Sequence, residues 1–411
     1  MTEHTNTPAL RFSEFTEEWE ENTLSKLTQL LKDGTHGTHK DVENGAWLLS
    51  AKNIKNNSII FDESDRKISY DDYYKIYKNY QLQKDDLLLS IVGTIGRTAL
   101  VKNPTDLAFQ RSVAVIRFKN QLSSSFFLYL FQTYTFKKKL LRNQVVSAQP
   151  GLYLGDLGKF FINHPNNKEQ VKIGNFFSKL DRQIELEEEK LELLEQQKKG
   201  YMQKIFSQEL RLKDENGNLS PEWTQTQLKN ITNRITRKNK KLESTRPLTI
   251  SGQLGLIDQV EYFNKSVSSK NLENYTLLQK NEFAYNKSYS NGYPLGAIKR
   301  LTRYDKGVLS SLYICFSISS DISVDFMQYY FESTKWFREV ASIAVEGARN
   351  HGLLNISVND FFDISIKLPS LENQKKISSF LIKIDNLIEK QSSKVELLKQ
   401  RKQGLLQKMF I

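Results

Sequence analysis

The sequence predicts two mixed α/β (α+β) globular domains of similar fold, separated by two long helices that pair antiparallel as a coiled coil. Three observations predict this architecture. The chain has 411 residues, more than one ordinary domain holds. A long segment with helical periodicity occurs in the middle of the chain and again at its end. The segments that precede the two helices share scattered residues in the same order. The two halves would then be related by a pseudo-two-fold axis.

The composition fits folded domains with a basic surface. Hydrophobic residues make up 39% of the chain and aromatic residues 11%, which is enough to build globular cores. The formal net charge is +12 and the isoelectric point is about 9.3. Such a surplus favours a polyanionic partner, with nucleic acid first and an acidic protein or membrane surface second. A charge that serves only solubility is the alternative.

The single cysteine and the hydropathy pattern indicate the cellular compartment in which the protein is expected. Cys315 lies in an apolar run and cannot form an internal disulfide, which fits a reducing environment. The N-terminal residues are polar and lack the apolar centre of a signal peptide. No apolar stretch reaches the about 18 residues that a membrane span needs. We therefore expect a soluble, cytoplasmic protein.

The strongest pattern is an internal repeat. Residues 165–207 align with residues 369–411 at a constant offset and without a gap. The matched identities include Pro165/Pro369, Phe176/Phe380, Asp181/Asp385, Gly200/Gly404 and Phe206/Phe410. An ungapped match of this length indicates a duplication. The predicted domains are therefore 1–164 and 208–368, and the predicted long helices are 165–207 and 369–411.

The globular halves repeat more weakly. The matches in order include Gly96/Gly296, Phe126/Phe326, Tyr129/Tyr329 and Phe131/Phe331. Strands are predicted at Asp86–Val92, Ser112–Phe118, Phe283–Tyr285 and Leu312–Ser317, and helices at Ser125–Leu141 and Val324–Ala341. The loops differ almost completely between the halves. The two domains would thus share a scaffold but recognise different things.

Both long helices carry the heptad pattern of a coiled-coil seam. The apolar seam residues are Ile173, Phe177, Leu180, Ile184, Leu191 and Leu194 in the first helix, and Ile377, Leu381, Ile384, Ile388, Val395 and Leu398 in the second. Polar residues interrupt the seam at equivalent places. In an antiparallel pair Glu187 could face Lys402, and Lys198 could face Gln391. Pairing of each helix with another subunit is the alternative.

The architecture suits a divided DNA site. Two similar domains on a rigid pair of helices would present two similar surfaces to the two halves of a target, with the helices as the ruler. Because the loops differ, the target need not be palindromic. Candidate contacts are polar and basic loop residues, since Arg, Lys, Asn and Gln read base edges and Lys, Ser and Thr more often hold phosphates.

The candidates in the first half cluster around several predicted turns. They are Thr35, His36, Thr38, His39, Lys40, Lys52, Asn53, Arg97, Gln110, Arg111, Ser112 and Gln149. An ordinary surface turn is the alternative for each of them. His36 and His39 are three apart, but no Cys or His cluster accompanies them, so we expect no metal site.

The candidates in the second half are not the equivalents of those in the first half. They are Arg237, Lys238, Lys240, Asn286, Lys287, Ser288, Tyr289, Lys299, Arg300, Asn350 and His351. Each could instead belong to a solvated face. Two differing basic loop sets on one repeated scaffold favour DNA reading more strongly than any single residue does.

The sequence also lacks the common catalytic and cofactor motifs. It contains no Walker A loop, no G-x-G-x-x-G fingerprint, no zinc spacing, no Asn/Asp-Pro-Pro-aromatic motif of amino-methyltransferases and no G-x-S-x-G turn. We predict no catalytic residue in this chain.

Several of these segments, taken in order, resemble the specificity subunit of type I restriction-modification enzymes. They are Leu10-Arg11-Phe12 leading to Trp19, Asp33-Gly34-Thr35-His36, Asp86–Ser90 with Gly93-Thr94-Ile95-Gly96, Gln149-Pro150-Gly151-Leu152, and the long helix ending at Gly200–Phe206 with its duplicate. The resemblance covers nearly the whole chain. The second half departs from it, because it lacks the Asp-Gly-Thr-His element.

The resemblance implies a function and partners. Each half would be a target recognition domain that reads one part of a bipartite, asymmetric DNA sequence in the major groove, and the helices would set the gap. Two modification subunits (adenine N6-methyltransferases) and restriction/translocase subunits would bind the chain. S-adenosylmethionine, ATP and Mg²⁺ would belong to those partners. A stand-alone DNA-binding regulator and a protein-interaction scaffold are the alternatives.

Overall fold

The chain divides into two compact units. A computed structural model describes residues 6–145, 150–213, 216–265, 271–288, 292–344 and 354–411. Unit 1 consists of Met1–Glu189 with Ser392–Ile411, and unit 2 consists of Lys190–Gln391. Each unit therefore contains a globular part and portions of both long helices.

A four-stranded antiparallel sheet with the strand order β2-β10-β7-β8 is the centre of unit 1. The strands of the unit are β1 (Glu20–Thr23), β2 (Thr28–Asp33), β3 (Ala46–Leu49), β4 (Ile54–Lys55), β5 (Ser58–Ile59), β6 (Lys67–Ile68), β7 (Leu87–Ser90), β8 (Thr98–Leu100), β9 (Leu107–Phe109), β10 (Val113–Phe118) and β11 (Phe161–His164). A second sheet has the order β6-β3-β9, in which β3 and β9 are parallel. The strands predicted at Asp86–Val92 and Ser112–Phe118 are confirmed as β7 and β10.

The helices of unit 1 are mostly short. They are α1 (Leu24–Leu27), a 3-10 turn at Ala51–Asn53, α2 (Tyr70–Ile76), α3 (Ser124–Leu130), α4 (Tyr134–Arg142), α5 (Leu154–Gly158) and the start of the long α6 (Asn167–Phe206). The single helix predicted at Ser125–Leu141 is wrong, because α3 and α4 are separate. The Thr133 hydroxyl accepts a hydrogen bond from the backbone N–H of Phe136 (3.2 Å) and so caps a new helix.

Unit 2 repeats the central sheet of unit 1. Its elements are β12 (Thr224–Gln227), a 3-10 turn at Leu228–Asn230, β13 (Thr232–Arg234), β14 (Leu248–Ser251), β15 (Gly255–Asp258), α7 (Gln259–Phe263), β16 (Thr276–Gln279), β17 (Phe283–Asn286), β18 (Ala297–Arg300), β19 (Lys306–Leu309), β20 (Ile314–Ile318), α8 (Val324–Glu332), α9 (Phe337–Ile343), α10 (Val358–Asp363), β21 (Ser365–Leu368) and the long α11 (Leu371–Lys408). The order β13-β20-β17-β18 matches β2-β10-β7-β8. The strands predicted at Phe283–Tyr285 and Leu312–Ser317 are confirmed as β17 and β20, the latter starting at Ile314.

The helix predicted at Val324–Ala341 also consists of two helices. The chain leaves helical geometry at Ser333, and α9 starts after Trp336. The Trp336 ring N–H donates to the carbonyl of Phe331 (3.0 Å), and the ring is buried in the core of unit 2. Trp336 therefore lies at the break between α8 and α9 and packs into this core.

Each central sheet is buried on both faces. In β7, Leu87 and Leu89 face the core formed with the helices, and Leu88 faces the second sheet. In β17, Phe283 and Tyr285 face the helical core, and Ala284 lies on the other face. This alternation follows from the two-residue period of a strand. A sheet covered on both faces exposes mainly its ends, where the loops lie.

The two long helices run antiparallel within each unit. In unit 1, Glu188 of α6 pairs with Lys399 of α11, and Asp181, earlier in α6, pairs with Lys402, later in α11. In unit 2, Lys198 of α6 pairs with Asp385 of α11. The predicted antiparallel coiled coil is therefore confirmed.

Apolar side chains fill the seam as the heptads predict. The buried seam residues are Ile173, Phe177, Leu180, Ile184, Ile377, Leu381, Ile384, Val395 and Leu398, while Leu191, Leu194 and Ile388 are half-buried.

The predicted polar register is wrong. The Lys402 Nζ lies 2.5 Å from Asp181 Oδ1, and Glu187 pairs with Lys394 instead. Lys198 pairs with Asp385 at 2.7 Å, nearly two helical turns from Gln391. The heptads omit the globular parts, where the Tyr129 hydroxyl donates to Asp181 and the Tyr329 hydroxyl donates to Asp385.

Candidate nucleic-acid interface

The strand register of unit 1 brings the candidate loops to one edge of the central sheet. Asp33 ends β2 opposite Ala114, Ser90 ends β7 opposite Val113, and β8 begins beside the end of β7. Strand β3 ends in parallel with β9, which places the following 3-10 turn at the same edge. We call residues 34–41, 50–53, 91–97 and 110–112 the loop edge of unit 1.

Backbone hydrogen bonds connect these loops to one another. The Thr35 N–H donates to Phe109 O (2.7 Å), and the Arg111 N–H donates to Thr35 O (3.0 Å). The Ser112 hydroxyl accepts from the Ala51 N–H (3.1 Å), and Ser112 O accepts from the Ile91 N–H (2.9 Å). The turn at residues 110–112 is thus the point at which the loops meet.

The histidine loop is held by its own side chains. His39 contacts Thr35 Oγ1 through Nε2 (2.9 Å) and Asp72 Oδ2 through Nδ1 (3.2 Å). His36 Nε2 lies 2.6 Å from Asp33 Oδ2. The hydrogen bond from His39 lowers the pKa of the Asp72 carboxyl. Thr38 and Lys40 of this loop are exposed.

The neighbouring pair Lys52 and Asn53 serves the fold. Asn53 is buried, its Oδ1 accepts from the Ser50 N–H (3.0 Å), and its Nδ2 donates to Ile60 O (3.0 Å). Hydrogen bonds from Asn53 and Lys52 lower the pKa of Asp65 to about 2. Lys52 is exposed at 2.7 Å from Asp65. The amide of Asn53 is therefore occupied within the protein.

The remaining candidates of unit 1 lie on two turns. Gln110 is half-buried beside Arg111, which is exposed, and Arg97 is half-buried at the start of β8. Gln149 lies outside the described residues. The structure thus brings together candidates from Thr35 to Ser112, which are far apart in sequence.

Unit 2 has an equivalent loop edge. Strands β13 and β17 end there, and β18 and β20 begin there, as the pairs Tyr285/Ile314 and Asn286/Ala297 show. The Lys238 segment pairs with Thr276 of β16, which in turn pairs with Leu309 just before the turn at residues 310–313. We call residues 238–241, 287–288, 292–296 and 310–313 the loop edge of unit 2.

Some candidates of unit 2 are exposed, and others form hydrogen bonds within the protein. Lys238 and Lys240 are exposed at the loop edge, while Arg237 donates to Glu282 Oε2 (2.8 Å). Lys287 donates to Ile356 O (3.2 Å), and the Asn286 Oδ1 accepts from the Ser288 N–H (3.0 Å). Tyr289, Asn350 and His351 lie outside the described residues.

Arg300 belongs to a different part of unit 2. It pairs with Phe283 in the β17–β18 ladder, at the end away from Asn286. Its guanidinium contacts Asp325 Oδ1 (2.5 Å) and Asn281 Oδ1 (2.6 Å). Lys299 precedes it, and burial lowers the pKa of the Lys299 amine. The N–H donors of the Arg300 guanidinium therefore bond to other residues of the protein.

Sequence reasoning missed the turn Ser310-Ser311-Leu312. This turn follows β19 as Gln110-Arg111-Ser112 follows β9, and Leu312 is 64% exposed. The internal repeat contains the signal that would have found it, since the two turns occupy equivalent places before β10 and β20. Tyr293 was missed as well; its hydroxyl donates to Gly252 O (2.7 Å), and the Lys299 amine lies over its ring.

The described residues contain no group of three His, Cys, Asp or Glu side chains that could hold a metal ion. Cys315 is buried, and burial raises the pKa of its thiol to about 12. Within the same ranges, no helix combines the length and apolar character that a membrane span requires. The arrangement offers rigid loops with polar and basic side chains at the end of a sheet, a geometry that suits contact with a polyanion.

Comparisons with known proteins cover both the sequence and the fold. Residues 16–196 match the family described as type I restriction modification DNA specificity domain. The type I restriction enzyme EcoBI specificity subunit from Escherichia coli is 26% identical over 161 residues, which are 38% of this chain and 34% of that protein. The match thus spans about a third of that relative's length.

Two solved structures share the fold over almost the whole chain. The S subunit of a type I restriction-modification system from M. genitalium aligns with a TM-score of 0.57 at 16% identity, covering 98% of this chain and 99% of that one. A chain from a study of complex assembly and conformational transition in the type I R-M system aligns with a TM-score of 0.54 at 14% identity, covering 95% and 97%.

Proposed function

We propose that this chain is a specificity subunit of a type I restriction-modification system and that it reads a bipartite and asymmetric DNA target with its two loop edges. The observation that carries the proposal is the repetition of one sheet with two different sets of loops. Strand order is the same in both units. Because side chains on equivalent turns differ, each unit would read its own part of the target.

The positions of five basic residues support this function. Arg97, Arg111 and Lys40 lie at the loop edge of unit 1, and Lys238 and Lys240 lie at that of unit 2. Among the residues that the structure describes, none of the five has a carboxylate partner, so their side chains are available for phosphates and base edges. The net charge of +12 favours approach to DNA from a distance.

The proposed role leaves chemistry to partner subunits. Two modification subunits would methylate adenine, and restriction/translocase subunits would cleave and move DNA. S-adenosylmethionine, ATP and Mg²⁺ would be bound by those partners. The chain itself would select the site, set the gap with α6 and α11, and act in the cytoplasm, where the DNA lies.

Methylome sequencing tests the function directly. The host genome is sequenced for adenine methylation with and without the gene, and a split motif with a fixed gap should disappear on deletion. If no motif disappears but the purified chain binds DNA, the stand-alone regulator is favoured. If no motif disappears and the purified chain does not bind DNA, the protein scaffold is favoured.

A domain exchange tests the assignment of one half-site to each domain. Residues 208–368 are replaced by the corresponding segment of another specificity subunit, and the methylated motif is read again. One half of the motif should change while the other half and the gap persist. A change in both halves would contradict the assignment.

A further inference from the structure

Most of the basic residues around the loop edge of unit 1 contact carboxylates. His36 contacts Asp33 at 2.6 Å, Lys52 contacts Asp65 at 2.7 Å, and Arg66 contacts Asp41 at 2.6 Å. These side chains keep the loops in place. A guanidinium already held by a carboxylate has fewer donors left for an outside ligand.

Two arginines of this edge are different. Within the ranges that the structure describes, neither the Arg97 nor the Arg111 side chain has an ion pair or a hydrogen-bond partner. Their planar forks of N–H donors are therefore free. Lys40 likewise has no partner in the part of the chain that the structure describes, but its ammonium group is a point charge and lacks the planar set of donors.

The backbones that carry these arginines are fixed. The Arg97 N–H donates to the Ser90 hydroxyl (2.8 Å), and the Arg97 carbonyl accepts from the Ser90 N–H (2.8 Å). The Arg111 N–H donates to Thr35 O (3.0 Å), and a bond from the Val113 N–H to Gln110 O (3.0 Å) closes the turn. Free guanidinium groups on rigid supports can bind with little loss of backbone entropy.

Their spacing matches a single groove. Arg111 precedes β10 and Arg97 precedes β8, with β7 between the two strands. Neighbouring strands lie about 4.8 Å apart, so the two backbones are roughly 10 Å apart at the same edge. The major groove is about 12 Å wide, and successive bases of a strand rise about 3.4 Å. Both arginines can therefore enter one groove and reach bases a few steps apart.

From these observations we infer that Arg97 and Arg111 are the residues that read guanines in the half-site bound by unit 1. A guanine offers the O6 and N7 acceptors to a guanidinium fork, and this bidentate pair is the commonest specific contact of arginine in the major groove. The inference rests on the proposed DNA-recognition function and names the chemistry of one half-site. Lys40 holds a phosphate in the same complex.

The equivalent positions of unit 2 have no arginine. The turn before β20 has Ser311 and Leu312 where unit 1 has Arg111 and Ser112, and β18 begins with Ala297 where β8 is preceded by Arg97. None of these residues in unit 2 has a guanidinium fork. The two half-sites therefore differ in the guanines read at equivalent places, which makes the target asymmetric.

Selection from a randomised duplex library tests the inference. The full chain is purified from its own host with the subunits that it binds, as the wild type and as Arg111→Lys, Arg111→Ala, Arg97→Lys and Arg97→Ala. Each arginine variant should lose the preference for one guanine in one half of the motif by roughly tenfold, and the other half should be unchanged. Lysine should not rescue this preference, because it keeps the charge but not the fork.

The salt dependence separates base contacts from phosphate contacts. The slope of log K against log salt should stay as in the wild type for Arg111→Ala and Arg97→Ala, and Lys40→Ala should reduce it by about 0.9 without changing any base preference. Arg401→Ala, on the exposed side of α11, is the matched arginine control and should leave both readouts unchanged.

Two results would overturn the assignment and are distinguishable. If Arg111→Lys and Arg97→Lys retain every base preference while the alanine variants lower the salt slope, both arginines hold phosphates and the proposed function stands. If the wild type enriches no motif, the proposed function fails, and this assignment fails with it.

Discussion

Gly34 lies where the segment after β2 crosses the end of β9. A Cβ at this position would lie 2.0 Å from Phe109 O and 2.4 Å from Gln110 O. Both oxygens belong to backbone, and Phe109 is part of a paired strand, so neither can move aside easily. The absence of a side chain here is what allows Thr35 to bond to Phe109 and Arg111 to bond to Thr35.

Gly34→Ala should therefore destabilise unit 1. Overpacking against fixed backbone costs about 1–3 kcal/mol, and the loops that meet at residues 110–112 should separate. Urea unfolding of the full chain measures the free energy. Gly155→Ala is the control, because a Cβ at Gly155 in α5 meets nothing within 4 Å. That variant should be neutral or slightly more stable. Equal stability of the two variants would contradict the close approach at Gly34.

At the residue scale, sequence predicts chemical type but not whether a polar group is already satisfied. The donors of Asn53, Arg300 and Arg111 make all three predicted DNA contacts. In the structure, Asn53 and Arg300 form internal hydrogen bonds, whereas the Arg111 side chain has no partner within the described ranges. The difference depends on contacts between residues far apart in the chain, such as Arg300 with Asp325, and local sequence does not contain it.

At the scale of elements, the pair of long helices contains the same cluster of lysine, aspartate and tyrosine in each unit. In unit 1 the Tyr129 hydroxyl donates to Asp181 Oδ2 (3.0 Å), and Lys402 lies between Asp181 and the Tyr129 ring. In unit 2, Tyr329 donates to Asp385 Oδ2 (2.6 Å), and Lys198 takes the place of Lys402.

These clusters fix the helix register and join the helices to the globular part. Burial by itself lowers the pKa of Lys198, but Glu332 and Asp385 outweigh it, so the pKa is raised and the lysine is charged. Such a half-buried pair is costly to break and tolerates only one alignment of the two helices. The clusters therefore specify register more than they add stability.

Lys402→Met should be strongly destabilising. The Lys402 side chain is only 11% exposed, and its loss leaves the Asp181 charge without its cation, at a cost of roughly 3 kcal/mol. Lys399→Met is the matched control, because its pair with Glu188 is about half exposed on both sides and contributes at most about 1 kcal/mol. Chemical denaturation of both variants measures the difference. Comparable losses would mean that Lys402 does not hold the register.

Sequence predicted the elements well and their register poorly. The heptads predicted both long helices and their apolar seam, because periodicity is a local property. The seam positions alone would pair Lys402 with Glu187. The actual alignment depends on Tyr129, which lies in α3, outside the helical repeat. Helix α3 therefore contributes to the register in which α6 and α11 pair.

At the scale of the whole molecule, the C-terminal end of a long helix packs into the core of each unit. Phe410, just after α11, packs against Trp19 and Phe126 in unit 1, with ring centroids 6.3 and 5.3 Å away. Phe206, at the end of α6, packs against Trp223 and Phe326 in unit 2, at 5.9 and 5.6 Å. The duplication explains the match, since these phenylalanines are equivalent residues of the repeat.

The two phenylalanines give a test of whether each unit is stabilised separately. Phe410→Ala removes a buried ring from unit 1 and should cost that unit about 3–5 kcal/mol. Phe206→Ala should do the same in unit 2. Hydrogen exchange measured by mass spectrometry on the full chain separates the effects, with the amides of β10 reporting on unit 1 and those of β20 on unit 2.

The two variants serve as controls for each other. Phe410→Ala should accelerate exchange in β10 far more than in β20, and Phe206→Ala should reverse this order, because exchange from a core strand follows the opening free energy of its own cooperative unit. Separate stability would let the loops of one unit change while the other unit keeps its fold. Equal acceleration of exchange in β10 and β20 for both variants would show that the chain opens as one unit. Changing the base preference of one domain alone would then require that the substitutions preserve the cores of both units.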